Sequence, residues 1–145
     1  MTLLISLSTS VFSATIDPLV GKWKTIDDRT GYSLTDVLIS KDDKSQQYMA
    51  TIINTRNVPG AAKIETCTQC TGAEKNRSLI GLEILTGLTA IPGAPNEFRS
   101  GQLLDPNNGQ YYDARAKLIS NGKHLIIYGK SGQSTVGRNI TWVKN

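Results

Sequence analysis

Hydrophobic and polar residues alternate with period two through much of this chain, and that pattern predicts strands rather than helices. Tyr112, Ala114, Ala116 and Leu118 fall on one face of a run whose other face carries Tyr111, Asp113, Arg115 and Lys117. Val136, Arg138, Ile140 and Trp142 likewise lie opposite Gly137, Asn139, Thr141 and Val143. Runs rich in β-branched and aromatic residues, as strands favour, occupy 34–40, 46–55 and 123–129. Asn108-Gly109 and Asn121-Gly122 read as two-residue hairpin turns, in which both central positions need φ above zero. Thr30-Gly31 and Lys41-Asp42-Asp43-Lys44 read as further reversals. No segment sustains helical periodicity over three turns. Residues 79–88 are ambiguous, but two internal glycines and the isoleucines assign them to a strand. The sum is eight strands, near 19–26, 33–40, 46–55, 79–87, 97–104, 110–119, 123–130 and 135–143.

Eight successive antiparallel strands with short links close most simply into an all-β up-and-down barrel. Closure removes the exposed edges that invite aggregation. At this strand number the interior is either filled by side chains or just wide enough for one small ligand. Residues 56–78 break the run of short links. This segment is polar, carries both cysteines, and reads as a lid or plug across one barrel end. Pro92-Gly93-Ala94-Pro95 is a second, shorter irregular loop.

Composition narrows the class. The chain has 145 residues, 39% hydrophobic and 19% charged, which suits one folded domain and excludes a disordered polymer, a membrane bundle, a coiled coil and a multidomain scaffold. No charged side chain precedes Asp17, and Leu3-Leu4-Ile5-Ser6-Leu7 continues through Val11, Phe12 and Ala14. That length suits the apolar core of an export signal and is too short to span a bilayer. The basic start of such a signal is missing, and the alternative is a short buried first strand. The expectation is a leader over 1–14, a barrel domain over 15–145, and a periplasmic or secreted protein that is not integral to the membrane.

The net charge is +4. After Asp113 no acid occurs, whereas Arg115, Lys117, Lys123, Lys130, Arg138 and Lys144 follow. Such a basic third suits an anionic envelope polymer or an envelope protein. The charges are spread over several strands with little aromatic interleaving, which reads as a solvated exterior and disfavours nucleic acid.

Candidate chemistry is sparse. Cys67-Thr68-Gln69-Cys70 lacks the βαβ setting of a thioredoxin-like redox pair, and with the lone His124 it falls short of four zinc ligands. In an oxidising compartment it reads as a structural disulfide closing the long loop. Gly129-Lys130-Ser131 has the end of a phosphate-binding loop, but His124 stands where its first glycine belongs. Ser120-Asn121-Gly122-Lys123 has the spacing of an acylating serine but lies across a tight turn. Asp36, Glu83 and Asp113 fall within strands and leave a paired-carboxylate hydrolase open. Arg138 shares its face with apolar Ile140 and Trp142, and Glu83 lies between Gly81 and Leu85, so both point toward the interior, where a charge needs a partner. Either Arg138 stacks on Trp23 as a structural lock, or Arg138 and Glu83, with Tyr112 and Trp142 beside them, line a pocket and orient the polar end of a ligand.

Gly21-Lys22-Trp23 resembles the G-x-W signature of lipocalins and other calycins. In those barrels a basic residue of the last strand covers the tryptophan, a role the resemblance gives to Arg138. A wider resemblance runs through Gly21-Lys22-Trp23-Lys24-Thr25-Ile26-Asp27-Asp28, Cys67-Thr68-Gln69-Cys70-Thr71-Gly72, Ile80-Gly81-Leu82-Glu83-Ile84-Leu85, Leu104-Asp105-Pro106-Asn107-Asn108-Gly109 and Gly137-Arg138-Asn139-Ile140-Thr141-Trp142. In that order these segments resemble a family of exported bacterial proteins known as a domain of unknown function (DUF2147). The resemblance implies a lipocalin-like barrel outside the cytoplasm and no particular activity. The chain departs from the family pattern at Asn139-Ile140 and Tyr128-Gly129-Lys130, which leaves pocket chemistry on those strands open. The resulting expectation is a non-catalytic barrel that binds a small, largely apolar or amphipathic ligand and needs no metal or cofactor. Its rivals are a filled barrel serving as an envelope interaction module, and an envelope hydrolase with paired carboxylates.

Overall fold

The structure, a computed structural model, describes residues 8, 16–60, 63–132 and 137–145. The expected leader at 1–14 lies outside the described residues apart from Ser8, as does Val136. Eight strands follow in chain order: β1 (Gly21–Ile26), β2 (Thr35–Lys41), β3 (Tyr48–Thr55), β4 (Glu83–Ile91), β5 (Ala94–Asp105), β6 (Gln110–Ile119), β7 (His124–Lys130) and β8 (Gly137–Lys144). Each pairs antiparallel with the next, and β1 pairs with β8 through Trp23↔Lys144 and Thr25↔Trp142 to close the barrel. Among the described residues no helix is long and apolar enough to cross a membrane.

Alternation decides which side chains enter. On β6, Tyr112, Ala114, Ala116 and Leu118 are buried while Tyr111, Asp113, Arg115 and Lys117 are exposed. Two turns differ from the two-residue form. The β5–β6 link spans 106–109, with only Gly109 of the pair Asn108-Gly109 at positive φ. The β6–β7 link spans 120–123, and there Ser120 and Asn121 occupy the paired positive-φ positions ahead of Gly122. Pro92-Gly93 is a tight turn and not a loop: β5 begins at Ala94, and Pro95 is accommodated beside the register shift at Ala90/Ile91.

The two barrel ends differ. At one, Leu19 and Trp23 are fully buried, and the Trp23 indole N–H donates to the Leu19 carbonyl at 2.9 Å. The Lys144 ammonium stands 4.6 Å from the Trp23 ring centroid and donates to the carbonyls of Pro18 (3.1 Å) and Val20 (2.8 Å). Arg138 therefore does not cover Trp23. It has the inward parity of Lys144 but lies six residues earlier, about 20 Å away along an extended strand. Gly21 owes its place to the same corner: its φ is +131°, and a Cβ there would lie 3.1 Å from Lys144 Nζ.

The other end gathers the connections 27–34, 56–82 and 106–109. In the longest of them Cys67 and Cys70 form a disulfide. Both are buried. A Thr66↔Ser78 bridge and the Leu79 N–H to Glu65 carbonyl bond (2.9 Å) fold the segment back on itself. It packs on the β5–β6 turn so closely that a Cβ on Gly109 would fall 1.9 Å from the Gln69 carbonyl oxygen.

Candidate functional site

Beneath these connections lies a cavity of about 180 Å³. Its walls are mainly apolar: Ile52 from β3, Ile84 from β4, Leu103 from β5, and Ile140 and Trp142 from β8, with Thr25 of β1 and Thr35 of β2 beside them. Val58, Ile64 and Leu79 of the long connection complete them from above, so the segment expected to act as a lid or plug contributes directly to the lining. Ile64 is nonetheless half exposed, at 50%, which leaves an apolar lip at the mouth. Trp142 is the deepest β8 residue of the lining.

The polar rim is built around Arg138, which also lines the cavity. Its Nη1 donates to Asp105 Oδ2 at 2.5 Å, while Nε and Nη2 donate to the two oxygens of Asp28 at 3.1 and 2.7 Å. The guanidinium carbon lies 5.3 Å from the Tyr112 ring centroid, and Nη1 reaches the Tyr112 hydroxyl at 3.4 Å. Tyr112 can occupy that position because Gly129 stands beside it; a Cβ there would lie 3.3 Å from Tyr112 Cβ. Asn108 donates to the same hydroxyl at 3.0 Å, so the β5–β6 turn and the Arg138 cluster share a partner.

Charge sets the rim's chemistry. Hydrogen bonding to Asp28 outweighs the desolvation of Arg138 and, with Asp105 and Tyr112, raises the guanidinium's pKa above its ordinary range. The hydrogen bond from Arg138 holds Asp28 below the usual carboxylate range against a smaller opposing desolvation. A second arginine on the rim, Arg56, donates to Asp36 Oδ2 at 2.5 Å and to Ser33 Oγ at 3.1 Å. Asp36 is buried, and its Oδ1 has no hydrogen-bond partner.

Of the residues that the sequence nominates for ligand contact, Arg138 and Trp142 line the cavity, and Tyr112 stands behind Arg138. Glu83 does not join them. It is exposed on the outside of β4, because the β3–β4 register shifts between Ala50↔Leu85 and Thr51↔Glu83. That bulge turns both Ile84 and Leu85 inward, and simple alternation across Gly81, Glu83 and Leu85 fails there. Asp36, Glu83 and Asp113 are separated on β2, β4 and β6, and do not assemble a carboxylate pair. The carboxylates that do converge, Asp28 and Asp105, are joined through Arg138 and lie 77 residues apart in sequence, beyond the reach of any spacing argument. Among the described residues no group of three or more His, Cys, Asp or Glu side chains could hold a metal ion.

Comparison with known proteins agrees with this architecture. The solved structure of protein HP1028 from Helicobacter pylori, described as belonging to the lipocalin family, superposes with a TM-score of 0.69 at 21% identity, covering 88% of this chain and 82% of that one. At this identity the likeness establishes the fold alone. No curated protein matches the chain. The family model described as "Uncharacterized protein conserved in bacteria (DUF2147)" matches residues 21–144, nearly the whole barrel, and the chain therefore belongs to that bacterial family.

Proposed function

We propose that this protein is an exported, non-catalytic barrel that holds a small, largely apolar ligand in the cavity beneath the Cys67–Cys70 loop. The observation that carries the reading is the cavity itself: about 180 Å³, walled mainly by aliphatic side chains and Trp142, with its charged groups gathered at the rim and the Thr25 and Thr35 hydroxyls bonded to each other at 2.7 Å. Ligand sites have this composition, an apolar interior with a few placed polar groups. The volume sets the ligand's size. An engineered cavity of roughly 150 Å³ takes up benzene, so this cavity suits a body of about six carbons. At about 0.8 kcal/mol per buried CH₂, such a body gains about 5 kcal/mol, equivalent to a Kd of roughly 0.2 mM. The Cys67–Cys70 disulfide supports an oxidising compartment, the periplasm or the exterior.

Native mass spectrometry of protein released gently from periplasm tests the reading. A bound metabolite or lipid fragment lost on denaturation is expected. Bare protein at every loading, together with no uptake of 1-hexanol in calorimetry, overturns it.

A further inference from the structure

Arg138 is held by two carboxylates that differ in kind. Asp105 ends β5 and is buried, and its Oδ1 accepts the Asn107 N–H at 2.9 Å, which makes it part of the frame of the β5–β6 turn. Asp28 sits in the turn of the 27–34 connection, with a quarter of its side chain exposed, and offers both oxygens to the Nε–Nη2 edge of Arg138. That edge is the fork with which an arginine takes any carboxylate side-on. Asp28 and Arg138 both border the cavity, and Ile140 and Trp142 continue the same strand face into it.

We propose that Asp28 is an internal stand-in for the carboxylate of the ligand. A monocarboxylate with an apolar body of about six carbons seats its chain in the cavity and replaces Asp28 on the Nε–Nη2 edge. The exchange frees the 27–34 connection to turn outward. This assignment deepens the ligand-binding reading and rests on it.

The exchange conserves charge at the guanidinium: one carboxylate leaves as another arrives, and Asp105 stays in place. No buried charge is stranded at any point, which is the condition under which an ion pair in a partly buried site can be remade. Asp28 moves from the rim to water, where its charge is well solvated. An alcohol of the same length offers a single neutral contact and cannot displace a side-on pair. An amine would meet the Arg138 guanidinium head-on. While Asp28 occupies the fork, the apparent affinity for a carboxylate is reduced by the fraction of time the fork is free.

The test is calorimetric titration of sodium hexanoate and of 1-hexanol into the wild-type protein and into Asp28→Ala, near neutral pH. Asp28→Ala is expected to bind hexanoate about threefold tighter, with 1-hexanol binding unchanged. Should that variant fail to fold, Asp28→Asn, which keeps the side-chain shape, carries the same comparison with a smaller gain. Unaltered or weakened hexanoate binding in a variant that still takes 1-hexanol overturns the stand-in and leaves the cavity reading intact. An equal gain for both probes also overturns it, since the connection would then be a mere steric cover. If neither protein takes up either probe, the cavity reading fails, and this assignment fails with it.

Discussion

Lys144 caps Trp23: its ammonium lies 4.6 Å from the ring centroid while two of its protons bind the carbonyls of Pro18 and Val20. One side chain thus ties the last strand to the segment that leads into the first. Burial lowers the Lys144 pKa, partly countered by the charge of Asp17, so the contact is made at some desolvation cost. Lys144→Ala removes the cation–π contact and two charge-assisted bonds and is expected to cost about 2 kcal/mol. Urea unfolding measures this, and loss of hydrogen-exchange protection at the Trp23 indole N–H locates it.

The two carboxylates on Arg138 predict an asymmetry. Arg138→Ala strands the buried Asp105, and leaving a partly buried charge unpaired is expected to cost about 3 kcal/mol. Asp28→Ala leaves Arg138 paired with Asp105 and is expected to cost about 0.5 kcal/mol, as for an exposed pair. Equal losses in parallel urea titrations would contradict the distinction between a framework carboxylate and an exchangeable one.

The pH dependence of the Asp28 contact has a definite sign. Its folded pKa is lowered from 3.8, chiefly by the Arg138 hydrogen bond. The contact's contribution is therefore fully present above the unfolded value and is lost as pH falls through the lower folded one. The stability difference between wild type and Asp28→Asn should stay constant from neutral pH to about pH 5, then shrink below about pH 4. A series of urea melts across that range checks it, and a difference that grows on acidification would contradict the pairing.

Most of the architecture was legible because alternation is a local property. Every expected strand is present, and the inward parity of Arg138, Ile140 and Trp142 follows from counting by two. Parity gives a face but not a height, which is why Arg138 and Lys144, alike in parity, exchange roles between the two barrel ends. Glu83 exposes a second limit: a bulge resets the count, and the extra residue at Ile84 has no signature in the residue pattern. The Asp28–Arg138–Asp105 cluster was invisible for another reason. It is made by one turn residue and the ends of two strands, β5 and β8, brought together only when the barrel closes, so no stretch of sequence contains it.

The Cys67–Cys70 loop is held less by its disulfide than by its seat. The ring is short, so loop-closure entropy assigns the cross-link only about 2 kcal/mol. Gly109 supplies the seat, at φ +72° with the Gln69 carbonyl packed where a Cβ would be. Gly109→Ala both strains the turn and forces the loop away, and it is expected to cost more than replacing both cysteines with serine. Limited proteolysis across 56–82 should show rapid cleavage in Gly109→Ala and slower cleavage in the double serine variant. The reverse order would show that the cross-link, not the seat, holds the cover on the cavity.

Filling the cavity separates ligand binding from fold stability. Ile84 lies on its wall, nearly inaccessible, at the bulge that turns it inward. Ile84→Phe adds a ring where about 180 Å³ stands open, so the larger side chain meets space and not a packed neighbour. The usual overpacking penalty of about 1–3 kcal/mol should therefore shrink below about 1 kcal/mol. Uptake of 1-hexanol and of hexanoate should both disappear, because the phenyl ring occupies the volume their chains need. Leu88→Phe, made away from the residues that line this cavity, where Leu88 is fully buried and packs against Gly101, supplies the contrast. It should carry the full overpacking cost and leave probe binding intact, as read by calorimetry beside a melting curve. If Ile84→Phe is destabilised as much as Leu88→Phe, the space beneath the Cys67–Cys70 loop is not open to a ligand's chain.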